Sequence, residues 1–136
     1  KLIDAAIGNK CKIILSVAPT ILLVNQLGNV YEDNILSVCQ SFIVSSEGQK
    51  DNDGIQKIDN STNIFDIIEN IVMAQTLDIP VILSSTYKSL PNVISAIRKM
   101  NCKLDLCILD EGQHSVNSDI FDILYSSIEK ILFLIC

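Results

Sequence analysis

Short apolar runs alternate along the chain with stretches in which apolar positions recur every three or four residues. Residues 12–18 (Lys-Ile-Ile-Leu-Ser-Val-Ala), 35–45 (with Val38, Phe42, Ile43 and Val44), 81–85, 104–109 and 130–136 are aliphatic and rich in β-branched side chains, and they read as strands. Between them lie helical patterns. Residues 1–9 close on Gly8-Asn9, a pair suited to a C-cap. Thr20 can cap a helix over 21–27, with Gly28 as its exit. Asn63 can cap another, in which Ile64, Ile67, Ile68, Ile71 and Val72 share one apolar face. Pro91 suits the first turn of a helix whose stripe is Val93, Ile94 and Ile97 and whose charged end is Arg98 and Lys99. Ile120, Ile123 and Leu124 mark a short helix over 119–127. The stretch 47–62 is polar with little periodicity and reads as a long surface loop inside the domain.

Strand and helix in regular alternation imply right-handed crossovers. The fold class expected is α/β: a parallel sheet of about five strands with helices on both faces. In such a sheet all strand ends project at one edge, and three of them are polar: Pro19-Thr20, the run from Ser84 to Ser89, and Asp110-Glu111-Gly112-Gln113. Open α/β sheets bind ligands at that edge. The third end is the most informative. Five of the six residues from Leu104 to Leu109 are apolar, as in a strand buried on both faces, and two adjacent acids follow. Adjacent acids at such a place are costly unless a cation sits opposite, and a hydrated magnesium on a nucleotide phosphate would serve. A buried strand ending in a solvated acidic turn fits the same residues, and the stretch alone leaves both readings open.

Composition narrows the class of partner. Hydrophobic residues make up 49% of the 136 residues and aromatics 5%, with no Trp, so the core is aliphatic. The net charge of −6 argues against a free-standing electrostatic nucleic-acid binder. It leaves room for a strand held by backbone amides and a few polar side chains. No apolar run approaches the roughly 18 residues of a membrane span. The five cysteines form no Cys-x-x-Cys pair and there is one histidine, which excludes a structural zinc site and suits reduced thiols in an intracellular protein, cytoplasmic or nuclear. The first residues have no secretory-signal features.

Taken together, the three polar strand ends resemble the first motor domain of superfamily-two helicases, the RecA-like, P-loop NTPase core of DEAD/DEAH-box proteins, and within them the motor subunits of type I and type III restriction enzymes. Residues 17–26 (Val-Ala-Pro-Thr-Ile-Leu-Leu-Val-Asn-Gln) are similar to that family's motif Ia. Residues 81–90 contain Thr86-Tyr87-Lys88-Ser89-Leu90, similar to its Thr-Tyr-x-Ser-Leu segment. Asp110-Glu111-Gly112-Gln113 is similar to motif II, the Walker B box, and residues 121–134 resemble the approach to motif III. The resemblance covers nearly the whole chain.

It implies an ATP-dependent helicase or translocase acting on DNA or RNA, with ATP and Mg2+ as cofactors. Asp110 would hold Mg2+ through its water shell. Glu111 would orient and deprotonate the attacking water, and Gln113 would sense the γ-phosphate by donating and accepting hydrogen bonds. Pro19, Thr20, Thr86, Tyr87 and Ser89 would form the nucleic-acid contact, the hydroxyls and helix-start amides meeting phosphates and Tyr87 stacking a base or packing on the sheet edge. His114, one place past the box, reads as a turn residue.

Departures from the family pattern matter equally. The sequence holds no Gly-x-x-x-x-Gly-Lys-Ser/Thr. Residues 1–136 therefore read as part of a first RecA-like domain, whose partners would be the P-loop segment and a second RecA-like domain of a longer chain. Without the P-loop strand, its neighbours in the sheet would carry exposed apolar edges. The 136 residues alone would bind ATP poorly and not hydrolyse it. Two alternatives stand beside this: a degenerate helicase-like lobe serving as a nucleic-acid or protein binding module without ATPase activity, and an unrelated doubly wound domain of receiver or flavodoxin type. Against the second, residues 11–19 hold no acid and no phosphate loop opens the chain.

Overall fold

The computed structural model describes residues 12–22, 24–26, 39–45, 61–110 and 131–134; for Asp110 and 131–134 it describes the backbone. The elements are β1 (Ile13–Ala18), β2 (Gln40–Val44), α1 (Ile64–Thr76), β3 (Val81–Thr86), α2 (Leu90–Lys99), β4 (Leu106–Asp110) and β5 (Ile131–Leu134). The five strands form one sheet in the order β2-β3-β1-β4-β5, and every pairing is parallel. The α/β class expected from the alternation is what forms. The helices expected over 1–9 and 119–127 and the loop over 47–62 lie wholly or mainly outside the described residues.

β1 is buried on both faces because it lies in the middle of the sheet: Ile13, Leu15 and Val17 face one way, Ile14, Ser16 and Ala18 the other, and none exceeds 4% exposure. On the first face Leu15, Val17, Phe42, Leu83 and Leu109 meet Ile67, Ile71 and Ala74 of α1 and Val93, Ile94 and Ile97 of α2. On the second face Val24, in the helical turn that follows β1, clusters with Ala18 and Ile43. Among the described residues α1 and α2 thus cover the first face, and the helical turn after β1 lies on the second. Burying a Leu- or Ile-sized side chain stabilises by about 1.5–3 kcal/mol, so this aliphatic sandwich is the main source of stability.

Local signals explain the helix limits. Asn63 caps α1 as its sequence position suggests, accepting the Phe65 N–H at 2.8 Å. Both helices end in Schellman motifs: Ile79 N–H reaches the Ala74 carbonyl at 3.0 Å and Cys102 N–H the Ile97 carbonyl at 3.3 Å. The left-handed positions are filled by Asp78 (φ 54°) and Asn101 (φ 53°), residues that tolerate this region better than others with a side chain. No glycine flags these ends in the sequence.

Several boundaries differ from expectation. Val72 is 45% exposed, and Ala74 takes the place assigned to it on the apolar face of α1. β3 runs one residue further, to Thr86, and β4 starts at Leu106 because Asp105 bends the backbone. Asp105 Oδ2 accepts the N–H groups of Lys12 at 2.7 Å and Ile13 at 2.9 Å, while its own N–H donates to the Ile13 carbonyl. This clip fixes the register in which β4 joins β1. β4 is hydrogen-bonded directly to β5, so the expected open edges beside a missing strand do not arise between these two.

Candidate nucleic-acid interface

β1 and β3 are neighbours, yet their connections leave the carboxyl edge toward opposite faces. β1 leads to the helical turn on the second face, and β3 leads to α2 on the first. Such a divergence opens a crevice at the strand ends, the usual ligand position in an open α/β sheet. Here it is a cavity of about 480 Å³ lined by Pro19, Ile21, Thr62, Thr86, Lys88, Ser89 and Asn92.

Three of the residues singled out in the sequence therefore meet in one place: Pro19, Thr86 and Ser89. Thr20 is exposed on the same edge, its carbonyl accepting the Val24 N–H at 3.0 Å. Tyr87 is 8% exposed and belongs to the main apolar cluster, so its ring packs against the sheet and is not presented to a base. Asp110 ends β4 one register position beyond the Val17↔Leu109 pair, opposite Leu134 of β5, on the same carboxyl edge. Glu111 and Gln113 lie outside the described residues.

The turn between β3 and α2 decides which groups the cavity offers. The Thr86 hydroxyl oxygen accepts the Ser89 N–H at 3.1 Å, which leaves its own O–H as a donor. Ser89 occupies the N-cap position with helical angles (φ −89°, ψ −6°), so its hydroxyl makes no capping bond. Ser89 is nine-tenths buried, and its side chain has no partner among the described residues. Lys88 is exposed and has no ion pair among them. The helix-start amides, expected to meet phosphates, are already engaged: Leu90 N–H goes to the Tyr87 carbonyl at 3.3 Å and Asn92 N–H to the Ser89 carbonyl at 3.0 Å, and Pro91 has none. The donors on offer are side-chain groups.

Thr62 and Asn92 escaped the sequence reading. Asn92 Nδ2 donates to the Thr62 carbonyl at 3.0 Å, and Ser61 N–H donates to the Ile43 carbonyl at 3.1 Å. These bonds draw the segment before α1 across the edge as a third wall. The signal was faint: an Asn one turn after Ser89 in a helix that begins Leu-Pro-Asn.

A second cavity, of about 340 Å³, lies at the amino edge over Ile13, Ile71, Ala74, Ile79 and Val81. Its polar rim is largely paired within itself, through the Asp105 clip and a Lys12–Asp78 ion pair of 3.2 Å. Cys102 on this rim has its thiol pKa raised, first by burial and then by the nearby Asp105 carboxylate. Cys107, in the core beneath, is pushed up to about 12 by burial. Neither is a poised nucleophile. Among the described residues no group of three or more His, Cys, Asp or Glu side chains could hold a metal. No described helix is long and apolar enough to cross a membrane.

The fold is of the RecA-like α/β kind. The chain superposes on the structure of a nuclease-deletion mutant of the Type ISP restriction-modification enzyme LlaGI in complex with a DNA substrate mimic, with a TM-score of 0.76 and 19% identity, over 97% of this chain and 12% of that one. It also superposes on the ATP-dependent Type ISP restriction-modification enzyme LlaBIII bound to DNA, with a TM-score of 0.70 and 16% identity, over 96% of this chain and 10% of that one. The chain thus spans a small part of the length of either enzyme. No protein-family model and no curated protein matches it.

Proposed function

We propose that residues 1–136 form part of the first motor lobe of an ATP-dependent nucleic-acid helicase or translocase, and that the cleft between β1 and β3 holds the backbone of one DNA or RNA strand. What supports the reading is the nine-tenths-buried Ser89 at that cleft, its hydroxyl without a partner among the described residues, beside Lys88, which has no ion pair among them. Ser89 and Thr86 direct O–H donors to phosphate oxygens, Lys88 supplies charge, and Pro19 and Ile21 form an apolar wall against sugar. Side-chain donors to phosphate carry no sequence information, as a strand-tracking motor requires. Thr20 extends the contact from the rim.

In this reading Asp110, at the same edge, works together with Glu111 and Gln113, which follow it in the sequence. A carboxylate at the end of a buried parallel strand, as Asp110 is at the end of β4, is a hard oxygen donor, which fits a magnesium ion held through its water shell. Glu111 would be the group that takes the proton of the attacking water, and Gln113 the one that hydrogen-bonds the terminal phosphate. Mg2+–ATP, when bound, supplies the phosphoryl group and the cation that neutralises its developing charge. The P-loop segment and the second RecA-like domain belong to a longer chain, and an intracellular setting goes with this reading. The 136 residues alone bind ATP weakly and do not turn it over; micromolar ATP binding in a calorimetric titration would overturn that statement.

A second reading is a degenerate lobe that binds strands without ATPase activity. It is favoured by one observation: the cleft residues all lie between Pro19 and Asn92, apart from the Asp110–Gln113 stretch. Fluorescence anisotropy with a labelled single-stranded oligonucleotide tests what both readings share. Binding should fall about tenfold in a Lys88→Ala/Ser89→Ala double variant, through the loss of one charge and one charge-assisted hydrogen bond. Unchanged binding would sink the cleft assignment. ATPase activity of the longer chain, abolished by Glu111→Gln, separates the motor from the module.

A further inference from the structure

The strand-binding cleft carries one feature opposite in character to its donors. Asn92 stands one turn after Ser89 on α2 and lines the same cavity. Its amide orientation is fixed by chemistry: a carbonyl can only accept, so the group 3.0 Å from the Thr62 oxygen is the NH2. The other end of the amide, Oδ1, is therefore a positioned acceptor, and it has no donor among the described residues. Phosphate oxygens are acceptors and would be repelled by it. Along a DNA backbone there is no hydrogen-bond donor at all, whereas an RNA backbone has one per nucleotide, the 2′-hydroxyl.

Resting on the reading that this cleft holds a strand backbone, we propose that Asn92 is a specificity-determining residue that accepts a hydrogen bond from a ribose 2′-hydroxyl, so that the cleft prefers RNA to DNA of the same base sequence. The base edges are the other source of donors, but Asn92 shares its helix turn with Ser89, which faces phosphate, and the sugar is the phosphate's covalent neighbour. The Thr62 bond makes the acceptor ready before binding, so little ordering is required when a strand arrives.

The test uses the 136-residue chain and three oligonucleotides of one length and one base: oligo-uridine, oligo-deoxyuridine and 2′-O-methyl oligo-uridine. A single hydrogen bond predicts about threefold to tenfold tighter binding of the ribo strand than of the deoxy strand. The 2′-O-methyl strand, which has lost its donor, should bind no better than the deoxy strand. Asn92→Ala should bring the ribo and deoxy affinities to within about twofold of each other, whatever it does to both together through loss of the Thr62 bond. Equal binding of ribo and deoxy strands, or a preference that survives Asn92→Ala, overturns the proposal and leaves the cleft assignment standing. Failure of any strand to bind overturns both. The 2′-O-methyl arm needs no substitution, so it reads the contact even if the Asn92 variant folds poorly.

Discussion

At the amino edge of the sheet the polar groups answer one another; at the carboxyl edge they face outward. Asp105 takes two backbone N–H groups of the β1 entry, and Lys12 pairs with Asp78. Across the sheet, the Ser89 side chain and Lys88 have no partner of that kind among the described residues. Both edges border cavities, so a cavity alone does not separate them. What separates them is whether the polar side chains are already satisfied. A satisfied rim is a fastening; an unsatisfied, partly buried one costs stability unless something from outside supplies the partner.

Substitutions can break this contrast. Asp105→Ala should have the largest effect, lowering unfolding free energy by about 2–3 kcal/mol because two N–H groups lose a charged acceptor. Urea melts measure it. Asp105→Asn should restore most of the loss, since both bonds go to one oxygen. A small loss in the Ala variant would mean that the clip is not a fastening.

Cys107 comes next. Its thiol is held protonated in the folded chain up to about 12, against an ordinary value of 9.0. Above 9.0 the unfolded chain releases this proton and the folded chain does not, so stability should fall as pH rises, by up to about 1.4 kcal/mol per pH unit between those values. Urea unfolding at pH 8 and pH 10 should show the drop, and Cys107→Val should remove the part due to the thiol. Asn63→Ala follows at about 1 kcal/mol, through loss of the α1 cap. Last, Lys88→Ala should change stability by less than about 0.5 kcal/mol, and Ser89→Ala should leave it unchanged or raise it by up to about 1 kcal/mol, since a buried hydroxyl without a described partner is removed. Lys88→Ala should also lower the salt dependence of strand binding by about one ion. A carboxyl-edge variant that unfolds the chain would erase the contrast.

Much of this was legible before the structure. The strands announced themselves because buried parallel strands are continuous apolar runs, and Asn63 and Pro91 stand at helix starts where capping chemistry wants them. That Pro19, Thr86 and Ser89 lie at one edge followed from the alternation, which sends all strand ends there; the pairing of β1 with β3 that brings them together did not. The helix ends were not legible, because Asp78 and Asn101 adopt the left-handed conformation without a glycine to mark it. Nor was Asp105 as a clip: it lies between Leu104 and Leu106 in what reads as one run, and its partners are 93 and 92 residues away. Asn92 was missed for the same reason, its contact with Thr62 spanning 30 residues. Pattern reads neighbours along the chain well and distant hydrogen-bond partners poorly.

The strand order has a consequence for how the molecule comes into being. β1 is the first described strand made, yet it pairs with β3, beginning at Val81, and with β4, beginning at Leu106, and not with β2, which follows it. During synthesis its Ile-Ile-Leu run must wait, both edges unpaired, until most of the chain has left the ribosome. Contacts of such long sequence separation slow folding, and an apolar strand kept waiting is exposed to pairing with the wrong chain. The strand at the heart of the finished sheet is thus the one most in need of protection while the sheet is being made.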